Sequence, residues 1–526
     1  MKKFLLTSAV ALLSTVATFS NVSAAPALID RSELPRTVIT NDGEVDDMNS
    51  VLRALLYSNE MDIAGIILTS SQFHYAGDPS KGIEPYRWTG SDWLYKYIDD
   101  YGKVYPNLVK HDPNYPTADY LRSVTKIGNI KNVGEMDEIT EGSEFLKNII
   151  LDDDPRVLYI ETWGGTNTTA RALKSIEEEY KNTPQWEEIQ EKINRKVFIY
   201  IILNQDSSYA DYIDKNWKGI TVLNDRNHFA HFAYAWRSFK DDIKDTFKAA
   251  WNVENLLNKG ALMSNYALME DGRWLPGELE NEQRGVNYIT RFPEYDKYDF
   301  ISEGDSPSFF YLLNNGLRSH ENPTYGGWGG RFGEFVGSLA VDNVLDYNPK
   351  TQRFETAYTM KRWIDDIQND FAARADWCVA NDYSKANHAP VVSIREGNDI
   401  LAEPGERVTL HAVASDPDGD HITYKWWRYF EADKYQDDKR DKPAVYEVHG
   451  TIIDFPWMDA KLTLARDLLP GEVLDSIPLT GANTSEVSFT VPNDANGGDN
   501  IHLILEVQDN GKHHLKHYQR VIITVR

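Results

Sequence analysis

The string Thr37-Val38-Ile39-Thr40-Asn41-Asp42-Gly43-Glu44-Val45-Asp46-Asp47-Met48-Asn49-Ser50-Val51-Leu52 changes its period half-way along. Thr37–Thr40 is a short β-branched run without polar alternation, the pattern of a strand buried on both faces. Met48, Val51, Leu52, Leu55 and Leu56 then recur at the spacing of one helical face. The same succession returns downstream. Ala64–Ser71, Val157–Trp163 and Lys196–Leu203 are short and rich in Ile, Val and Tyr, and a helical pattern from Thr168 to Tyr180 follows the third run. Strands alternating with helices predict an open, mostly parallel α/β sheet over residues 25–386.

The turn inside the opening string carries its chemistry. Asp42, Asp46 and Asp47, spaced D-x-x-x-D-D, crowd the carboxyl end of a strand, the edge at which open α/β sheets bind ligands. Carboxylates this close repel one another unless a cation neutralises them, and hard oxygen ligands select Ca²⁺ or Mg²⁺, Ca²⁺ being the more tolerant of irregular geometry. Helix capping is the competing explanation, and it accounts for one or two of the three aspartates.

The flanks bound the rest. Lys2 and Lys3, an apolar run from Phe4 to Phe19, and Val22-Ser23-Ala24 before Ala25 have the layout of a secretory signal peptide over residues 1–24. The sequence thus predicts an exported protein, periplasmic or secreted. One cysteine, Cys378, excludes an internal disulfide. A net charge of -26 argues against nucleic acid or an anionic membrane as partner. From Asn387-His388-Ala389-Pro390 onward the pattern changes to alternating strands, as in Arg407–Ala414 and Ile501–Val507, broken by turns such as Asp416-Pro417-Asp418-Gly419-Asp420. This predicts an immunoglobulin-like β-sandwich over residues 390–526.

Several strings resemble a known family. Asp42-x-x-x-Asp46-Asp47 at a strand-to-helix turn is similar to the metal motif of the nucleoside hydrolases. Asp62-Ile63-Ala64-Gly65-Ile66 resembles the second strand of that fold. Glu161-Thr162-Trp163-Gly164-Gly165-Thr166-Asn167 stands in the place of its Thr-Gly-x-x-Thr-Asn loop, and Ser302-Glu303-Gly304-Asp305-Ser306 resembles its late metal loop. Trp163-Gly164-Gly165, Gly326-Gly327-Trp328-Gly329-Gly330-Arg331-Phe332 and Asp370-Phe371-Ala372-Ala373-Arg374 look like an exported bacterial branch of nucleoside-hydrolase-like proteins that includes a cellulose-binding member.

The resemblance implies a Ca²⁺ held by Asp42, Asp47, Asp305 and the carbonyl of Thr162, with Asp42 as general base and Asp46 against the attacking water or a sugar hydroxyl. Trp163, Asn167, Gln205, Asp206, Glu303, Trp328 and Arg331 are the candidate substrate-binding residues. Two departures stand out. Gly304 occupies the position where the nucleoside hydrolases commonly carry a His that assists the leaving base, and Gln72 replaces an early sugar-contacting Asn. The family's Glu-x-Asn sugar clamp has no counterpart around residues 204–230. Two functions follow from this: a Ca²⁺-dependent glycosyl hydrolase acting on a glycan or furanosyl substrate, or a polysaccharide-binding protein on a hydrolase scaffold. His74, His111 and His320 are expected to be satisfied structural histidines, the tract at His513-His514 a solvated strand end, and Cys378 inert packing.

Overall fold

A computed structural model describes residues 26–239, 242–435, 449–454, 461–466 and 477–526. The segment over residues 1–24, read from the sequence as a signal peptide, lies outside the described residues. Seven strands form one sheet: β1 (Arg36–Asn41), β2 (Asp62–Leu68), β3 (Thr125–Ile127), β4 (Leu158–Thr162), β5 (Val197–Ile202), β6 (Thr221–Asp225) and β7 (Leu339–Val341). Their order is β3-β2-β1-β4-β5-β6-β7, and every pairing is parallel. The chain winds outward from β1 in one direction, then returns and winds outward from β4 in the other. The loops leaving β1 and β4 therefore diverge, and a crevice opens between them at the carboxyl edge.

The unbroken apolar runs have the predicted cause. Successive strand residues serve opposite cores. Ile39, Ile63, Tyr159 and Tyr200 enter the core that also holds Val51, Leu55 and Leu94. Val38, Ala64, Leu158, Ile160, Ile199 and Ile201 enter a second core with Leu146, Leu173 and Ile176. Helices α1 (Val45–Leu56) and α2 (Asp92–His111) cover the first face. On the second face, α4 (Glu141–Leu151), α5 (Asn167–Tyr180) and α6 (Trp186–Lys196) supply the cover, while α3 (Ala118–Ser123) packs Leu121 into the first core. β2 ends earlier than the sequence pattern suggests, because Thr69–Ser71 leave the sheet and turn their hydroxyls to loop partners such as Asn167.

Helix α1 departs from simple amphipathicity. All of its residues except Asp46 are buried. Its outer face is covered by the helix Ile364–Trp377, and Arg53, fully buried at mid-helix, lies 3.7 Å over the Phe371 ring and pairs with Glu303.

A hairpin, β8 (Asp346–Asn348) and β9 (Arg353–Glu355), precedes that helix, and β10 opens the second region at Val391. One sheet there has the order β10-β12-β16 (Val391–Ile394, Arg407–Ser415, Glu486–Thr490). The other has β11-β18-β17-β13 (Asp399–Ala402, Lys516–Val525, Asn500–Gln508, Thr423–Arg428), while β14 (His449–Asp454) and β15 (Lys461–Arg466) pair with each other. The pairings are antiparallel except β11 with β18. Ile501, Leu503, Leu505, Val521 and Ile523 fill the core between the two sheets. No helix among the described residues is long and apolar enough to cross a membrane.

The central strands β17 and β18 of the four-stranded sheet are largely buried on both faces. The sheet's outward face is packed on the α/β region: Tyr518 and Trp427 lie 5.6 and 6.0 Å from the Trp363 ring, and Ile504 joins the first core. Polar positions of the alternating strands are therefore buried too. Arg520, fully buried, donates from Nε to the Leu317 carbonyl at 2.7 Å and from Nη2 to the Tyr325 and Gly326 carbonyls, both at 2.8 Å. Arg520→Ala would strand three buried carbonyls, each costing about 1–3 kcal/mol if left unpaired. The expected outcome is a loss of about 3 kcal/mol or more in urea unfolding of the full chain; a loss below 1 kcal/mol on the same scale would mean that water replaces the guanidinium at the seam.

Candidate active site: an acidic cleft where the sheet changes direction

The loop between β1 and α1 builds the site. Gly43 turns with φ +78°, and a Cβ there would lie 2.6 Å from Thr89 Oγ1, so only glycine makes the turn. This keeps Asp42 buried while Glu44 faces the cleft. The Asp42 amide donates to Asp47 Oδ1 at 3.0 Å, and the Glu44 amide donates to Asp42 Oδ1 at 3.2 Å. Asp46 and Asp47 occupy the first turn of α1, where the helix dipole favours negative charge. The end of β4 is tied to β1 by the Trp163 amide, which donates to the Thr40 carbonyl at 2.9 Å. Gly164 lets that loop pass Asp42, since a Cβ there would lie 2.9 Å from the Asp42 Cβ. Asp305 arrives on a loop fixed by Ser308, whose hydroxyl donates to the Asp305 carbonyl at 2.7 Å.

Five carboxylates thus meet at one edge of the sheet. Burial first, then mutual repulsion, pushes Asp47, Asp305 and Glu44 well above the usual carboxylate range, and Asp42 is pushed up to about 6. Asp42 Oδ2 and Asp305 Oδ2 are buried without a hydrogen-bond partner. Orphaned carboxylate oxygens in a cluster of one sign are what a hard divalent cation would satisfy, and the oxygen-rich donor set fits such an ion. Two groups of ligand atoms lie within 4.8 Å of one another: Asp42, Glu44 and His74, and Glu44, Asp46 and Asp47. Thr162 closes β4 beside them, its side chain buried.

Positive charge reaches the cluster from residues the motif does not contain. Arg87 lies 3.6 Å from Glu44 Oε1, and Arg284 bears on Asp46 while bonded to Glu278. The cleft in front has a volume of about 730 Å³. Glu44, Asp46, Asp47 and Asp305 form one side, and Phe73, Tyr86, Phe229, Tyr234 and Leu279 line the rest.

Of the sequence candidates, Asp42, Asp46, Asp47 and Asp305 come together, with Thr162 alongside. Trp163 and Gln205 reach the wall of the cleft; Trp163 Nε1 donates to Ser308 Oγ at 2.7 Å, and Gln205 Nε2 donates to the Trp163 carbonyl at 2.5 Å. Five candidates do other work. Asn167 is fully buried and ties loops together, accepting from Thr69 and donating to Ser70 and to the Asn129 and Glu135 carbonyls. Asp206 caps α5, accepting from the Asn167 amide at 3.1 Å. Glu303 points away from the cleft into a closed network, 2.5 Å from Arg53 Nε and accepting from Ser306 and Tyr266. Trp328 packs 6.4 Å from the Tyr518 ring at the sandwich seam. Arg331 donates to Asp346 Oδ1 at 2.8 Å in the same seam, so the glycine-rich loop serves docking rather than ligand binding.

The histidines also differ from expectation. His74 belongs to the site: 1% exposed, its Nδ1 is unpartnered and 3.9 Å from Asp42 Oδ1. Burial pushes its pKa down to about 3, with Arg87 adding to the effect. His513 is no solvated strand end; its Nε2 lies 2.9 Å from Asp376 across the seam. Cys378 is buried and free, as expected. His74 carried no spacing signal, because the fold, not the local sequence, brings the loop after β2 beside the loop after β1.

Two family models match the chain. Residues 36–332 match the nucleoside hydrolase-like domain of cellulose-binding Sde182, and residues 407–525 match the C-terminal domain of cellulose-binding protein Sde0182. The chain belongs to this family. Among solved structures, a nucleoside hydrolase-related protein from Saccharophagus degradans, described as associated with carbohydrate metabolism, is 25% identical. The similarity covers 94% of this chain and 100% of that one, with a TM-score of 0.66. A plant nucleoside hydrolase is 11% identical over 58% of this chain and 86% of its own, with a TM-score of 0.29. An inosine-guanosine nucleoside hydrolase is 12% identical over 52% of this chain and 96% of its own, with a TM-score of 0.21. Likenesses this remote say nothing about substrate. No curated protein matches.

Membership in this family places the acidic cluster on a hydrolase scaffold, and two measurements probe it. The raised carboxyls hold extra protons in the folded state when no cation is bound. Stability from that source is present below the unfolded carboxylate range and is lost as pH rises through the raised values, about 6 for Asp42 and well above the usual range for Asp47 and Asp305. With chelator, the melting temperature is expected to fall between about pH 5 and pH 8, and an added divalent cation should flatten the fall. A curve that chelator and cation leave unchanged would remove the cation from the account. Glu303→Ala leaves Arg53 buried and unpaired, and should cost about 3–5 kcal/mol in equilibrium unfolding. Wild-type stability in that variant would contradict the structural role.

Proposed function

We propose that the protein is an exported, Ca²⁺-dependent hydrolase of glycosyl bonds, acting on a glycan or furanosyl substrate rather than a purine nucleoside. The observation that carries this is the pair of orphaned, buried carboxylate oxygens on Asp42 and Asp305, of which Asp305 lines the open cleft and Asp42 lies behind it. Binding alone gains nothing from holding five like charges together, whereas activation of a water needs them.

Asp42, Asp47 and Asp305 would hold the cation, with Glu44 and the end of β4 beside them. Ca²⁺ bound there supplies positive charge that acidifies a water and balances the carboxylates. Asp42 accepts the proton of the attacking water, its amide and carboxylate being fixed by Asp47 and Glu44. Asp46, facing the cleft, accepts hydrogen bonds from sugar hydroxyls. The carboxylate side of the cleft stabilises the positive charge that develops at the anomeric carbon as the bond breaks. Phe229 and Tyr234 form an apolar wall on which a sugar face can stack.

The leaving-group side accounts for the substrate. A His at position 304 would crowd Asp46, since a Cβ on Gly304 lies 3.1 Å from Asp46 Oδ2. Glu303 is locked in its pair with Arg53. His74 is held neutral, with no proton to give near pH 7. A departing purine therefore lacks the general-acid help that is worth about 10²–10⁴-fold in such reactions. The locked Glu303 also favours a second reading, in which the cleft holds a polysaccharide without cleaving it.

Nitrophenyl furanosides, whose leaving groups need no proton, should be turned over, and Asp42→Ala should abolish that turnover while inosine remains a poor substrate. The release assay on nucleosides and plant-type glycans, run beside a cellulose pull-down, reads both functions. Robust inosine hydrolysis would sink the argument from Gly304. Absence of any turnover, with polysaccharide binding that survives Asp42→Ala, would establish the binding protein instead.

A further inference from the structure

A second cluster of ligand-type side chains lies at the far side of the same sheet edge. Asp225 ends β6, Asp342 follows the last residue of β7, and His228 opens the short helix His228–His231. Asp225 and His228 are 0% exposed and Asp342 is 1% exposed. One imidazole nitrogen and one oxygen from each carboxylate lie within 4.8 Å of one another.

The hydrogen bonds around the imidazole favour one tautomer. His228 Nε2 lies 3.0 Å from Thr359 Oγ1, and that hydroxyl donates its own proton to the Thr356 carbonyl at 2.7 Å. Thr359 Oγ1 is therefore the acceptor, Nε2 carries the ring proton, and Nδ1 is left with a bare lone pair. Nδ1 has no hydrogen-bond partner and lies 3.9 Å from Asp342 Oδ2, with the Gly329 carbonyl facing the same ring. Gly330 locks the arrangement, because a Cβ there would fall 2.4 Å from the ring. Asp225 already accepts from the Tyr200 hydroxyl and the Phe229 amide, and Asp342 from the Arg226, Asn227 and His228 amides, so the unsatisfied atom of the cluster is His228 Nδ1, whose lone pair faces carboxylate oxygen with no donor between them.

We propose that Asp225, His228 and Asp342 form a second metal site, structural rather than catalytic, for a divalent first-row cation such as Zn²⁺ or Mn²⁺. The mixed nitrogen and oxygen donors separate it from the cleft, whose oxygen-rich set suits Ca²⁺. Each ligand already has the outer partner that orients metal ligands: Thr359 on His228, the Tyr200 hydroxyl donating to Asp225 at 2.9 Å, and the Asn227 and His228 amides donating to Asp342 at 2.6 and 2.9 Å. Donor atoms about 2.0–2.2 Å from a tetrahedral ion lie about 3.3–3.6 Å apart, so ligand atoms now within 4.8 Å of one another would draw in by about an ångström on binding. The ion would fasten the floor of the cleft, because Phe229 and Ala230 line it and the Leu203 amide donates to the Asp225 carbonyl at 3.0 Å. None of this depends on the proposed hydrolase activity.

The test uses the full chain carrying Asp42→Asn and Asp305→Asn, which silences the cleft. It is unfolded in chelator and refolded with or without Zn²⁺, because a buried site loads as the chain folds. Elemental analysis should find one Zn²⁺ retained per chain, with a melting temperature raised by several degrees. Co²⁺ in its place should give visible absorption, and adding His228→Ala should abolish retention of both ions. If that variant fails to fold, the Co²⁺ spectrum of the parent decides, through imidazole-derived shifts in its proton magnetic resonance. Refolded protein that retains neither ion and melts identically with and without Zn²⁺ would overturn the proposal, leaving a proton shared between Asp225 and Asp342. Undiminished metal in a folded His228→Ala chain would overturn it as well.

Discussion

Repulsion among buried carboxylates at the carboxyl edge of the sheet is the constraint around which the α/β region is arranged. Asp42 and Asp47 come from the turn between β1 and α1 and Asp305 from a loop far along the chain, and burial raises all three. Such a cluster is held in place only because the surrounding structure over-determines it. Gly43 and Gly164 admit the close approach of two loops, the Trp163 amide fastens β4 to β1, and the Arg53–Glu303 pair anchors the loop that delivers Asp305. The energy that fixes these groups comes from the two apolar cores on either face of the sheet. The cluster itself opposes folding until charge or protons compensate it.

The second constraint is the seam. A sheet packed on one face leaves polar residues at alternate positions for water. Here the outer face of β17 and β18 is covered by the α/β region, so its polar positions need protein partners. Arg520 takes three carbonyls, Lys516 pairs with Asp366 at 3.0 Å, and His513 pairs with Asp376. The glycine-rich loop that carries Trp328 and Arg331 is absorbed into this contact. Gly326 has φ +76°, and a Cβ there would lie 2.5 Å from the Tyr429 hydroxyl. Its glycines permit backbone to approach a neighbouring domain, the same property that in other settings permits approach to a ligand.

That ambiguity shows where sequence patterns stop being sufficient. Period and composition fix what a residue does along its own element. The unbroken run Val197–Ile202 is a strand with two buried faces because both faces are apolar, and the aspartates after Asn41 stand at a ligand-binding edge because a strand ends and a helix begins there. Asn167 and Asp206 also stand at that edge, and the pattern gives them the same rank. Their hydrogen bonds are to loops that close over one another, and no one-dimensional spacing records which side chain ends in the cleft and which is consumed in bracing it.

The sequence by itself determined the alternating strands and helices, the parallel sheet, the β-sandwich that follows, and the three aspartates Asp42, Asp46 and Asp47 at one edge, while the family resemblance implied Asp305. These depend on local period and on topology, which short-range sterics and burial dictate. Only the tertiary structure decided that His74, Arg87 and Arg284 join the acidic cleft, that Glu303 is spent on Arg53, that Trp328 and Arg331 belong to the seam, and that His228 faces two carboxylates. Each of those outcomes depends on contacts between residues remote in the chain, where packing chooses one partner among several of equal chemical fitness.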